Sequence, residues 1–228
     1  MRLQYRLRQL KNSPYITYAL FGLTVLVFLL ETVNGGSTNN YVLVRFGARW
    51  NPLIEAGQWW RLITPIFVHI GLMHILVNGV TLFYLGGITE LIFGHWRFLV
   101  LYLVSGFTGN LASAAFNPTG LAAGASTALF GMMGAYLMLY DGYRENSGIR
   151  AISRQFVMLA ALNIVFDLFM PGVDIYGHIG GFLGGFLIAY ALGAPKLGET
   201  SMPRRVGSLF ALVAASAALL IFAFGSAL

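Results

Sequence analysis

The sequence predicts an all-α fold, a polytopic membrane bundle of six core helices followed by a seventh at the carboxyl end. Three observations carry this. Hydrophobic residues make up 57% of the 228 and charged residues only 10%, where soluble domains carry about 25% charged. Mean hydropathy is +0.74. Apolar runs close to the roughly 20 residues needed for a span recur between turn and charge signals.

Taken in order, Met1 to Lys11 holds Arg2, Arg6, Arg8 and Lys11 ahead of an apolar run from Tyr15 to Leu30. A secretory signal has an apolar region of about 7–15 residues and a small-x-small cleavage site. This run is longer and lacks a clear site, so it predicts a retained span behind a cytoplasmic basic stretch, 1–13. The seven predicted spans are 14–33, 70–92, 96–116, 125–141, 153–170, 176–193 and 206–227. Residues 34–68 are too polar and glycine-rich at their start to cross and read as an external loop. Its Trp59-Trp60-Arg61 suits simple anchoring at a membrane–water interface. No repeat, low-complexity tract or second domain is evident, so 14–193 forms one six-helix unit and 194–228 a linker with the added helix.

Charge sets the orientation. With the amino end inside, the cytoplasmic side holds Arg2, Arg6, Arg8, Lys11, Arg97, Arg144, Arg150, Arg154, Lys196, Arg204 and Arg205, and the outer side holds Arg45, Arg49 and Arg61. That asymmetry obeys the positive-inside rule. The net charge of +6 therefore reports topology and anionic lipid headgroups in a cell membrane, and calls for no nucleic acid. The absence of cysteine removes disulfides, thiol nucleophiles, iron–sulfur clusters and cysteine-rich zinc sites.

The fourth span opens with Gly124-Ala125-Ser126-Thr127, after the turn Asn117-Pro118-Thr119-Gly120. A serine at a helix start is an N-cap or a nucleophile, depending on whether a base and hydrogen-bond donors reach the same depth. In the second span His74 and Asn78 are four apart and share a face, whereas His69 lies off that face and is expected at the entry. The sixth span opens with Tyr176-Gly177-His178, and Gly181 and Gly185 follow on the histidine's face. All these groups fall within about two turns of the outer helix ends, given a rise of about 1.5 Å per residue. Polar residues inside spans are functional candidates by default. Gly131 and Gly134 on one helix, with Gly177, Gly181 and Gly185 on the other, permit close backbone approach.

The chemistry this permits is nucleophilic catalysis. His178 can take the Ser126 proton, and the Ser126 N–H, the Asn78 amide and the His74 ring can donate to an oxyanion. No acid stands out as a third member: Asp174 reads as a loop or helix-start residue, and Glu90 and Asp167 as boundary charges or local structural pairs. The reading is a Ser–His dyad. Zinc is disfavoured, since no HExxH occurs and no carboxylate joins the histidines. Haem ligation by His74 and His178 would leave Ser126 and Asn78 without a role. A solute carrier would want acidic groups at mid-membrane, whereas Asp141 and Glu145 fall at inner ends. Asn110 and Asn163 read as glue between helices.

Together, Gly124-x-Ser126, His69-x4-His74-x3-Asn78, Gly177-His178-x-Gly180-Gly181, Trp60-Arg61 and Gly86-Gly87-x-x-Glu90 resemble the rhomboid intramembrane serine proteases over about 14–193. Each motif is weak alone; in this order and spacing the set is specific. The resemblance implies Ser126 as nucleophile, His178 as base and His74 and Asn78 at the oxyanion. It further implies single-span membrane proteins as substrates, cut within or beside their span, and no cofactor or metal. The active site would open toward the extracellular side. Three positions depart from the pattern. Thr127 replaces the glycine that usually follows the serine, placing a β-branched side chain by the oxyanion site. Gly177 stands where alanine is common. Phe130 stands where many members have tyrosine, and its ring can still pack on His178. An inactive relative that binds membrane proteins is the alternative reading.

Overall fold

The computed structural model describes residues 13–225, so the predicted basic stretch falls almost wholly outside the described residues. Among the described residues, six helices are long and apolar enough to cross a membrane: Tyr15–Val33 (α1), Gly71–Phe93 (α4), His95–Phe116 (α5), Ser147–Asp167 (α7), Ile175–Leu192 (α8) and Met202–Phe224 (α9). A seventh, Ser126–Gly142 (α6), has 17 residues and is buried along most of its length. No β-strand forms among the described residues. The chain is a multi-pass helical membrane protein, as its composition requires.

The bundle is centred on α6, which packs against α5, α7 and α8. Glycine decides how closely. A Cβ at Gly185 or Gly181 on α8 would run into the backbone of Gly131 or Thr127 on α6, and one at Gly134 would meet the Phe182 carbonyl. Helix α7 behaves differently. It rests mainly on α6, leaving Met158, Leu162, Val165 and Phe166 exposed. Helix α9 lies against α5 and α8, with Phe224 meeting the Trp59 ring edge-on at 5.4 Å.

Helix ends explain where the boundaries moved. α7 begins at Ser147, six residues before the apolar run, because the Asn146 side chain accepts the Ile149 N–H at 3.1 Å and caps a polar first turn. α9 begins at Met202, with Pro203 in its first turn. Of the two readings of Glu90, boundary charge or local structural pair, the structure bears out the pair. Glu90 is fully buried, accepts the N–H groups of Ile16 and Thr17 at 3.1 and 2.7 Å, and so caps α1 from α4, with His95 Nδ1 at 2.5 Å. Asn163 bonds the Leu159 carbonyl of its own helix, so it glues nothing, whereas Asn110 ties α5 to the Leu62 carbonyl.

The 34–68 segment is folded. It holds the short helices Asn40–Phe46 (α2) and Asn51–Glu55 (α3), then two 3₁₀ turns, Trp59–Leu62 and Thr64–Phe67. Arg61 is buried and donates to the carbonyls of Val44 and Ala48 at 2.7 and 2.8 Å, so it closes the segment on itself. Trp60 is exposed.

Candidate active site

The approach to Ser126 is held by the loop that precedes α4. Arg49 and Ala122 exchange backbone hydrogen bonds at 2.8 and 3.1 Å, and the Gly124 N–H donates to the Pro65 carbonyl at 2.9 Å. The Ala125 N–H donates to His69 Nε2 at 3.2 Å. His69 is therefore buried scaffolding, where the sequence had placed it at an entry. Burial first, and the nearby His74 second, push its imidazole down to about 3, with the Phe67 carbonyl opposing. Gly124 has φ +137°, and a Cβ there would stand 2.6 Å from His74 Cε1 and 3.4 Å from Asn78 Nδ2. Only glycine lets the backbone pass this close.

Ser126 is the first residue of α6. The residue before it, Ala125, provides no side-chain cap, and the Ser126 hydroxyl faces His178 instead. The distance from Ser126 Oγ to His178 Nε2 is 2.8 Å. The Phe130 ring stacks on the imidazole, with centroids 4.2 Å apart and planes 15° from parallel. Asn78 Nδ2 is buried and bonds no group among the described residues. The Ser126 N–H has no carbonyl four residues back within the helix. Asn78 Nδ2 and the His74 ring both lie against the backbone at Gly124, two residues before the Ser126 hydroxyl.

Thr127 does not crowd this side. Its branched carbon lies in the seam between α6, α5 and α8: a Cβ on Gly109 would be 2.6 Å from Thr127 Cβ, and one on Gly177 would be 3.1 Å from its Cγ2. The two unusual residues, Thr127 and Gly177, fit one another.

Asp174 N-caps α8, its Oδ1 accepting the Gly177 N–H at 3.2 Å and its Oδ2 the Ser113 hydroxyl. Ser113 in turn accepts from Arg49 Nη2 at 2.6 Å. Two groups were missed in the sequence. Arg49, counted only for topology, is fully buried behind α8; its burial pushes the guanidinium down from its ordinary value, and Asp174 opposes that. Asp167 places Oδ2 2.6 Å from His178 Nδ1. The available signal was an acid ending an apolar run on the span next to the histidine.

Among the described residues no cluster of His, Cys, Asp and Glu forms a metal-binding group.

A rhomboid domain profile matches residues 56–195. The chain is 41% identical over 215 residues to Rhomboid protease GluP of Bacillus subtilis, covering 94% of this chain and 42% of that protein. It is 36% identical to RHOMBOID-like protein 7 of Arabidopsis thaliana, over 66% of this chain and 48% of the relative. With Rhomboid-like protease 3 of Toxoplasma gondii the identity is 32%, over 79% of this chain and 69% of the relative. It thus spans less than half the length of the first two. The profile, these identities and the helical bundle agree: the chain belongs to the rhomboid family.

Proposed function

We propose that this chain is an intramembrane serine endopeptidase that cleaves single-span membrane proteins within or beside their transmembrane segment. The observation that carries the reading is the 2.8 Å contact between Ser126 Oγ and His178 Nε2, made part-buried at the start of two helices. His178 Nε2 takes the hydroxyl proton as Ser126 attacks the scissile carbonyl. The oxyanion then draws on Asn78 Nδ2, the His74 ring and the Ser126 N–H, each such donor contributing about 10²–10³ in rate. His178 returns the proton to the leaving amine, and water repeats the sequence on the acyl-enzyme. No cofactor enters this scheme. The names of the relatives, two of them rhomboid proteases, support the same chemistry. Residues 14–193 form the catalytic unit, in a cell membrane with the amino end cytoplasmic and the site opening outward, as the lysine and arginine distribution supports.

A fluorophosphonate probe tests the reading. The purified protein is expected to label and to cleave a single-span reporter; Ser126→Ala abolishes both, and His178→Ala abolishes cleavage in a protein that remains folded by circular dichroism. Wild type that stays unlabelled beside a labelled control hydrolase would favour a non-catalytic binder of membrane proteins.

A further inference from the structure

Two carboxylates lie near His178, and they are not equivalent. Asp174, in the turn before it on the same helix, is fully engaged: one oxygen caps the Gly177 N–H and the other receives the Ser113 hydroxyl, backed by Arg49. Asp167 comes from the last residue of α7 and turns its Oδ2 to His178 Nδ1 at 2.6 Å, while the opposite ring nitrogen faces Ser126 at 2.8 Å. Both side chains of the pair are about nine-tenths buried, at 10% and 12% exposure. An ionised carboxylate only accepts, so Nδ1 must carry the proton and Nε2 must present its lone pair to the serine.

We infer that Asp167 is the positioning residue for His178, converting the Ser126–His178 pair into a Ser–His–Asp arrangement whose acid arrives on a separate helix. The inference rests on the protease reading above. Asp167 holds the imidazole in the tautomer that can accept the Ser126 proton and in the plane set by Phe130. When Nε2 takes that proton the ring becomes an imidazolium, and the adjacent carboxylate stabilises its charge. The Nδ1 proton stays on the ring throughout, hydrogen-bonded to Asp167. The other ionisable groups around the ring are Asp174 at the start of its own helix and His74 from α4, which is close enough to interact with it electrostatically. Of these ionisable groups, Asp167 is the one whose side chain bonds the ring among the described residues.

The test is cleavage of a single-span reporter in detergent micelles by wild type, Asp167→Ala, Asp167→Asn and Asp167→Glu, with full pH profiles. Removing the carboxylate is expected to lower kcat about 10²–10⁴-fold while KM stays within about threefold, as befits a residue that acts through His178. Asp167→Asn is expected to fall at least as far, since its amide can bond the wrong tautomer. Asp167→Glu recovers part of the loss. In both deficient variants the acidic limb of kcat/KM moves to lower pH, because the imidazolium has lost its counter-charge. A merely structural role for Asp167 would lower activity without moving that limb. Wild-type kcat in folded Asp167→Ala, or an unmoved limb, overturns the inference while leaving the dyad intact. A wild type that neither labels with fluorophosphonate nor cleaves overturns the parent reading and this one together.

Discussion

At His69 a single nitrogen must stay unprotonated, because Nε2 accepts the Ala125 N–H at 3.2 Å. The folded protein holds this imidazole at about 3, whereas an unfolded chain titrates it near 6.5. Below about pH 6.5 the unfolded state therefore binds the extra proton first. The stability linked to His69 is complete above that pH and declines as pH falls toward 3, by about 1.4 kcal/mol per pH unit inside the window. Thermal unfolding in detergent between about pH 7 and pH 4 is expected to show this slope. His69→Gln, whose amide can accept but not titrate, flattens it; an unchanged slope would assign it to another group. Such roles divide by how visible they were. Ser126, His74, Asn78 and His178 are conspicuous as polar residues in apolar runs of known period. The His69 contact joins two irregular segments 56 residues apart, and no helical period encodes it. Asp167 reads in the sequence as a boundary charge or a local structural pair, and nothing there points it at His178, because an acid at a span's end resembles a solvated one.

Among the elements, α6 and α8 show how local substitutions are absorbed. From the sequence, Thr127 looked like an obstruction at the oxyanion side, since a β-branched residue stood where glycine is usual. Its side chain instead occupies room left by Gly109 and Gly177. The contact predicts coupling: Gly177→Ala brings a methyl to 3.1 Å from Thr127 Cγ2 and destabilises, and Thr127→Ala in the same chain offsets part of the loss. A double-mutant cycle is expected to give a favourable interaction of about 0.5–3 kcal/mol, measured by unfolding in mixed micelles. Strict additivity would mean the clash is confined to the Asp174 cap, which the same methyl also approaches. Helix number and order were legible because hydropathy reports a 20-residue average. Starts were less so: the polar first turns of α7 and α9 are fixed by Asn146 and Pro203, which lie outside the apolar runs.

Across the whole molecule, Arg49 adds one buried charge to the contacts that join the loop, α5 and the head of α8. It donates to Asn51 in the loop, to the Asn117 carbonyl at the end of α5 and to Ser113, which reaches Asp174 at the head of α8. Truncating this buried donor leaves the Asn51, Asn117 and Ser113 acceptors without it, at about 1–3 kcal/mol for each one left unsatisfied. Arg49→Ala is expected to lower the unfolding temperature and to expose the 34–68 segment to protease; a protein as stable and resistant as wild type would show that the loop is held by other contacts. No sequence rule assigned Arg49 this place, since an arginine in an external loop is ordinarily solvated. The glycine seam between α6 and α8 has a different consequence. Where backbone rests on backbone at Gly131, Gly181 and Gly185, there is no side chain to repack and no slack for sliding. The hydroxyl and the imidazole are carried by two helices in direct backbone contact, so a shift of one helix along the seam has to displace the other. For the proposed protease, a brake that left this seam intact would act on α7 or on the route inward, with the spacing between hydroxyl and imidazole unchanged.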